Sequence, residues 1–395
     1  MRPDPRLLRA ALLGAVLLGA LAMPSRLRAQ SSLFGVRGLG LPGRPLTAAT
    51  RATEGSFGLF DPESDLNPGA LAGLPSVVAG FGVTPTYRTW ETPAGSANLR
   101  DTRFPLIYVA GPIPHSRVSL GVSVGSYADR DFRLATSTVL PLRGEQVTVN
   151  DTLSSLGGLS QIRVAGAYTL SSKTQIGGAF YFITGSSRIE AARGFSDSAF
   201  HAFRQTSELS YRGFGAAVGL TQLIGSALTF GVMVRSDGSV SVDQDSAHVY
   251  DIDLPWTFGA GLRLRASRRL TVAASSTYRT WRSADIELLT LGAPGSRNTL
   301  ELAFGGEYIR NLRSPNDLPI RFGIRYADLP FPVVTGAKPR EIDASLGTGK
   351  WFAQDRAGLD IAIEEAWRHE GSAYKERAFS ISFGLSIRPY GPTAR

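Results

Sequence analysis

From about residue 76 to the end of the chain, apolar and polar residues alternate one for one. Leu300, Leu302, Phe304, Gly306 and Tyr308 are separated by Glu301, Ala303, Gly305 and Glu307. Phe379, Ile381, Phe383, Leu385 and Ile387 are separated by Ser380, Ser382, Gly384 and Ser386. A period of two predicts strands with one apolar face and one polar face. A soluble sandwich also alternates, but its strands run about five or six residues. The runs here often reach nine to fifteen, and a tilted strand crosses a bilayer in about 9–11. The opposite face carries Gly, Ser, Ala and charge, as a lumen would. The expectation is therefore an all-β, transmembrane antiparallel β-barrel.

Fourteen such runs lie between residues 76 and 388. An even count returns both chain ends to one side of the membrane. Short connections (Pro112–His115, Ser171-Ser172, Gln222–Gly225, Ala266–Arg268) alternate with longer ones at 91–102, 129–156, 187–205, 284–297, 329–339 and 369–376. Only 244–247 breaks the alternation. Short periplasmic turns and long outer loops are the usual asymmetry of outer-membrane barrels. Aromatics near the strand ends, Tyr87, Trp90, Tyr127, Tyr278, Trp281, Trp351, Phe352 and Trp367, are spaced as interfacial girdles.

The start of the chain is different. Arg2, Arg6 and Arg9 precede a 14-residue apolar run from Ala10 to Met23, broken by Pro24 and followed by Leu27-Arg28-Ala29. This is the layout of a secretory signal peptide over residues 1–29, and the run is too short for a spanning helix. The segment carries net +4, so the overall +9 leaves +5 on the exported chain. No later apolar run is long enough for a membrane helix. Residues 30–75 lack alternation and are rich in Gly, Pro, Ala and Thr. They form either a periplasmic tail or a plug folded into the lumen. Residues 76–388 make the barrel and 389–395 a C-terminal tail.

Within that segment, Asn67-Pro68-Gly69-Ala70-Leu71-Ala72, preceded by Gly55-Ser56-Phe57-Gly58 and Asp61, resembles the N-terminal hatch of the FadL-like outer-membrane transporters of long-chain fatty acids and other hydrophobic compounds. The resemblance covers the exported chain in architecture, with Gly69 where Ala is usual and no terminal aromatic after the last strand. It implies an N-terminal lumenal hatch inside a 14-stranded barrel, a bacterial outer-membrane location and passive uptake of hydrophobic small molecules. Pro68 fixes its own φ near −65° and pushes Asn67 toward an extended conformation. The Asn67 side chain can then bond backbone two residues on, or a barrel carbonyl. Arg235, Arg263 and Arg325 are candidate anchors for Asp61, Glu63 or Asp65. Gly121, Gly125, Gly215 and Gly219 would leave the segment room.

Inward positions carry Arg163, Arg235, Arg263, Glu301, Glu307, Arg321, Arg325, Asp360 and Glu364. Charges in a confined lumen need partners or water. They either form an internal network with the plug or line an aqueous pore. Candidate ligand contacts on the outer loops are Ile189, Phe195, Phe200 and Phe203, in a stretch of helical character, with Leu288, Leu291 and Phe331. Apolar side chains there either meet a ligand or pack on one another over the barrel mouth. Two other functions fit the pattern: a porin for polar solutes, and a non-transporting barrel serving as a scaffold or secretion partner.

Several activities fall away. With no Cys there is no thiol nucleophile and no thiolate metal site. Gly121-Val122-Ser123-Val124-Gly125 matches a hydrolase elbow but lies mid-strand. Gly38-Leu39-Gly40-Leu41-Pro42-Gly43 matches a dinucleotide fingerprint but no strand precedes it. His115, His201, His248 and His369 have no metal-ligand spacing. Asp243, Asp245, Asp251 and Asp253 flank a tight hairpin without an EF-type loop. The expectation is a non-enzyme with no cofactor or metal. The arginines are dispersed, which argues against nucleic acid. Expected partners are outer-membrane lipid and lipopolysaccharide, a hydrophobic ligand, and the barrel-assembly machinery during biogenesis, with the chain a monomer.

Overall fold

A computed structural model describes residues 32–93, 95–284, 295–314, 318–334 and 336–389. The signal-peptide reading, Leu288, Leu291 and almost all of the C-terminal tail lie outside the described residues.

Fourteen staves form one antiparallel sheet. They are β1 (Val78–Thr92), β2 (Gly95–Arg103 and Leu106–Pro112), β3 (Val118–Asp129 and Phe132–Leu142), β4 (Glu145–Thr169), β5 (Thr174–Phe195), β6 (Phe203–Ile224) and β7 (Leu228–Ser236 and Ser239–Gln244), then β8 (Ala247–Asp253 and Trp256–Arg265), β9 (Leu270–Arg279), β10 (Thr299–Tyr308), β11 (Ile320–Asp328), β12 (Arg340–Phe352), β13 (Ala357–Glu370) and β14 (Tyr374–Ile387). β14 pairs with β1, with Phe383 opposite Val83, and the sheet closes. Closure leaves the barrel without a free edge around its base, which a strand in lipid requires. The alternation reads as expected: Phe304 is 45% exposed on the outside, while its neighbour Ala303 is buried.

The outer ends depart from the sequence reading. The stretches read as loops at 91–102 and 129–156 are mostly strand, and β4 alone runs 25 residues. At about 3.3 Å per residue that is some 80 Å, well beyond a hydrocarbon core of about 30 Å. The hairpins continue because alternation continues: Leu134 and Thr136 on β3, Val147, Val149 and Leu153 on β4 are all buried. Tight turns close them. Arg143 and Gly144 both have positive φ (53° and 88°), as do Asp245 and Ser246 (49° and 73°). Two consecutive left-handed residues match the twist of the flanking strands. Residues 187–195 are strand as well, not helical, and pair with β4 as far as Phe195.

The girdle is also sparser than expected. Tyr87, Tyr278, Phe352 and Trp367 face out, whereas Trp90 and Trp281 are buried. Tyr127 donates to Asp237 at 3.1 Å on the inner side. Inward and outward positions differ by one residue, so proximity to a strand end does not say which face an aromatic takes.

Residues 32–75 lie against the inward faces of the staves. Three short helical turns, Leu33–Gly35, Ala48–Arg51 and Pro68–Gly73, are joined by irregular chain. Leu33 and Phe34 reach the outer mouth, where they pack with Leu329, Val333 and Tyr374. Leu59 and Phe60 lie lower, against Met233 and Ala273.

Candidate functional site

The turn at Asn67 is built from local chemistry. Asn67 is extended (φ −119°, ψ 110°) and caps the helical turn that Pro68 begins. Its Oδ1 accepts from the Gly69 N–H at 2.9 Å. Its Nδ2 donates to the Leu59 carbonyl at 2.9 Å and the Leu220 carbonyl of β6 at 3.2 Å. The side chain thus satisfies one donor and two acceptors that burial would otherwise strand. Leu71, Ala72 and Leu74 then pack with Leu106, Tyr108, Ala165, Ala179 and Tyr181, and Ala70 is buried beside them.

The wall is cut away to receive this turn. A Cβ at Gly177 would stand 2.4 Å from the Pro68 carbonyl oxygen. A Cβ at Gly69 would meet the Gly219 carbonyl at 2.8 Å, which accounts for glycine at a position where Ala is usual in the family this segment resembles. Gly231 faces Phe60, Gly323 faces Thr53 and Glu54, and Gly347 faces Ala52. Gly121 and Gly125 seat Leu71 and Pro45 as expected, but the space at Gly215 is taken by Asp237 of the barrel itself.

The nine lumenal charges read from the sequence all have partners. Arg163 lies 3.3 Å from Asp65, which also accepts from Ser123 at 2.6 Å and Gln161 at 3.3 Å. Arg235 pairs with Asp237 at 2.5 Å and lies 3.8 Å over the Tyr181 ring. Arg263 stacks over Phe60 at 5.3 Å. Arg321 bridges Glu307 at 2.7 Å and Asp360 at 2.5 Å. Arg325 contacts Glu301 at 3.2 Å, Asp343 at 2.7 Å and Glu341. Glu364 binds Arg51 at 3.0 Å and Arg44 at 3.2 Å. These distances describe an internal network rather than bare pore-lining charge.

The anchors of the N-terminal segment are not those expected from charge sign. Arg163 holds Asp65. Thr47 donates to Asp61 at 3.1 Å and Thr50 donates to it as well. Glu63 accepts from Tyr108 and lies 3.6 Å from Arg388. Arg325 instead reaches Glu54, at 3.8 Å. Sign selects possible partners, but height in the barrel selects the actual one. Sequence reasoning also missed Glu376, which accepts from the Ser32 hydroxyl at 2.9 Å and the Leu33 N–H at 2.9 Å. Burial and the neighbouring Asp61 push the Glu63 carboxyl up to about 7.

Of the outer-loop candidates, Phe331 and Ile189 meet in one buried cluster, and the phenylalanines of the β5–β6 hairpin do not join it. Phe331 is 3% exposed and meets Trp281 edge-on at 5.3 Å, in a cluster with Leu39, Ile183, Tyr211 and Val242. Ile189 packs on the same cluster. Phe195 and Phe200 meet as tilted rings at 5.4 Å near the tip of the β5–β6 hairpin, with Arg143 over Phe200. Phe203 is 53% exposed.

One stretch of wall is incomplete. Leu106–Pro112 pairs with β3 from Ser119 to Gly125. Above that, Gly95–Arg103 pairs with β1 and Phe132–Leu142 with β4, and no pairing joins these two edges among the described residues. Pro105 has no N–H, and β3 carries a register shift between Ser126 and Ala128, so the ladder cannot continue. The N-terminal segment fills the opening. Leu41 and Pro42 pair with Asp129 and Ala128, and the Gly43 N–H donates to the Tyr127 carbonyl at 2.7 Å. Arg103 and Asp129 bridge the two edges at 2.6 Å. Behind them lies a cavity of about 110 Å³, bordered on the wall side by Leu41, Pro42, Pro105 and Ser126 and on the lumenal side by charged groups that include Arg325 and Glu301.

No protein-family model and no curated protein matches the sequence. Solved structures do. The chain is similar to a Pseudomonas aeruginosa FadL homologue, with TM-score 0.63 and 12% identity over 90% of this chain and 100% of that one. It is similar to the Pseudomonas putida toluene transporter TodX, with TM-score 0.56 and 15% identity over 89% and 99%. It is also similar to the CymD monoaromatic hydrocarbon channel, with TM-score 0.57 and 13% identity over 88% and 98%. The fold is thus that of the FadL-type barrels, a closed 14-stranded architecture of the bacterial outer membrane.

Proposed function

We propose that this barrel is a channel for passive uptake of hydrophobic small molecules, with residues 30–75 as its hatch. The observation that carries the reading is the opening between β2 and β3, covered by residues 41–43 of a segment that also fills the lumen. A hydrophobic solute gains nothing by descending through the ion pairs of Arg321 and Arg325, which are largely buried, paired with carboxylates and offer it no apolar path. Leaving sideways between β2 and β3 delivers it to lipid instead. The fold shared with toluene and monoaromatic hydrocarbon channels supports this class of solute. The motif at Asn67 supports long-chain fatty acids as a further member of the class.

The natural absence of cysteine allows a clean test. Pro42 and Ala128 are cross-strand partners. The pair Pro42→Cys and Ala128→Cys should form a disulfide that fixes the segment over the opening. Uptake of a fluorescent fatty acid or of toluene by cells carrying the variant should fall, and return with reductant. Uptake indifferent to the cross-link would overturn the lateral route. Absence of uptake in the native barrel, with or without steady conductance, would leave a porin or a scaffold.

A further inference from the structure

The periplasmic end of the barrel is one-sided in charge. In sequence its short turns carry Arg117, Lys173, Arg268, Arg269, Arg310, Arg313 and Arg356 against two carboxylates, Asp317 and Asp355. Four arginines are concentrated on two adjacent turns, Arg268 and Arg269 on the β8–β9 connection and Arg310 and Arg313 on the β10–β11 connection. The connections touch, since the Ile309 N–H donates to the Arg269 carbonyl at 2.7 Å and Arg269 donates to the Arg310 carbonyl at 3.3 Å. All four guanidinium side chains are exposed.

We propose that this cluster binds the anionic phosphate headgroups of the periplasmic leaflet. Like charges crowded at one place repel unless counter-charge is supplied from outside. The surroundings indicate where it comes from. Leu264 and Ile320 flank the cluster on the outer face of the wall, and Leu312, between Arg310 and Arg313, is 44% exposed. Apolar side chains interleaved with arginine are unfavourable on a surface meeting only water. They fit the boundary between acyl chains and headgroups, where stems lie in lipid and guanidinium groups reach phosphate. Arginine can take phosphate in a two-pronged contact. An acidic protein would need no Leu312 pointing outward among the cations.

The test uses the full barrel in nanodiscs of phosphatidylethanolamine, with or without phosphatidylglycerol. The native chain should retain phosphatidylglycerol on extraction and unfold several degrees higher in discs that contain it. Replacing the four arginines by serine should abolish both effects, and replacing them by lysine should keep most of the thermal shift. A native barrel with no preference for phosphatidylglycerol overturns the proposal, as does a serine variant that keeps it. Co-sedimentation with peptidoglycan that depends on the four arginines, without a lipid preference, would assign the cluster to the cell wall instead.

Discussion

The Oδ1 of Asn67 occupies the place of the missing side chain of Gly219. A Cβ on that glycine would lie 1.9 Å away, inside any allowed contact. Asn67 donates on to the next carbonyl, Leu220, so backbone and side chain interlock across the lumen. Any side chain at Gly219 must displace the turn. Gly219→Ala should cost about 1–3 kcal/mol by overpacking. Gly178→Ala on β5, whose Cβ would meet the Ala217 carbonyl at an ordinary 3.8 Å, should not unseat the segment. Urea unfolding in detergent micelles and protease access to residues 30–75 would compare the two.

Arg163 and Asp65 form a pair in which Asp65 is 3% exposed. Arg163→Met leaves that carboxylate without its cation, and such a loss typically costs about 3–5 kcal/mol. Asp65→Asn in the same chain should recover much of it. A double-mutant cycle by equilibrium unfolding reads the coupling, and additive losses would mean the pair contributes little.

Glu63 gives the segment a pH dependence. The folded carboxyl holds its proton up to about pH 7, because burial and Asp61 outweigh Arg388 and the Tyr108 hydrogen bond. The unfolded group releases it near its ordinary value of about 4.5. Between those values the native state binds the extra proton, so stability falls as pH rises from about 4.5 to about 7 and levels above it. Glu63→Gln should flatten that fall, which thermal unfolding measured across the interval would detect.

Phe304 faces lipid between Ala274 and Ile324. Phe304→Arg should cost about 2–4 kcal/mol if the site lies at the bilayer midplane, and less toward the interface. Folding into vesicles from urea gives the number. The neighbouring inward change Ala303→Ser should be much milder.

Deleting residues 30–72 should leave the β1–β14 seam closed, since no pairing there involves them, while uncovering the opening between β2 and β3. Single-channel conductance and sensitivity to large antibiotics should both rise. Unchanged permeability in a correctly assembled deletion would remove the hatch from the functional reading.

The fourteen staves, their inner and outer faces and the Asn67 turn were legible in the sequence because each is a local matter. Alternation assigns every residue to a face, and Asn-Pro chemistry shapes the turn from its own atoms. What only tertiary structure decided is non-local. Asp65 meets Arg163 rather than Arg235, Arg263 or Arg325 because partners on a closed sheet depend on the stagger accumulated around it. The fold also carries the N-terminal segment to the β2 and β3 edges that Pro105 and the register shift near Tyr127 leave apart. That is why Leu41 and Pro42 supply the missing strand: the segment that completes the wall lies far from the gap in sequence but beside it in the folded lumen.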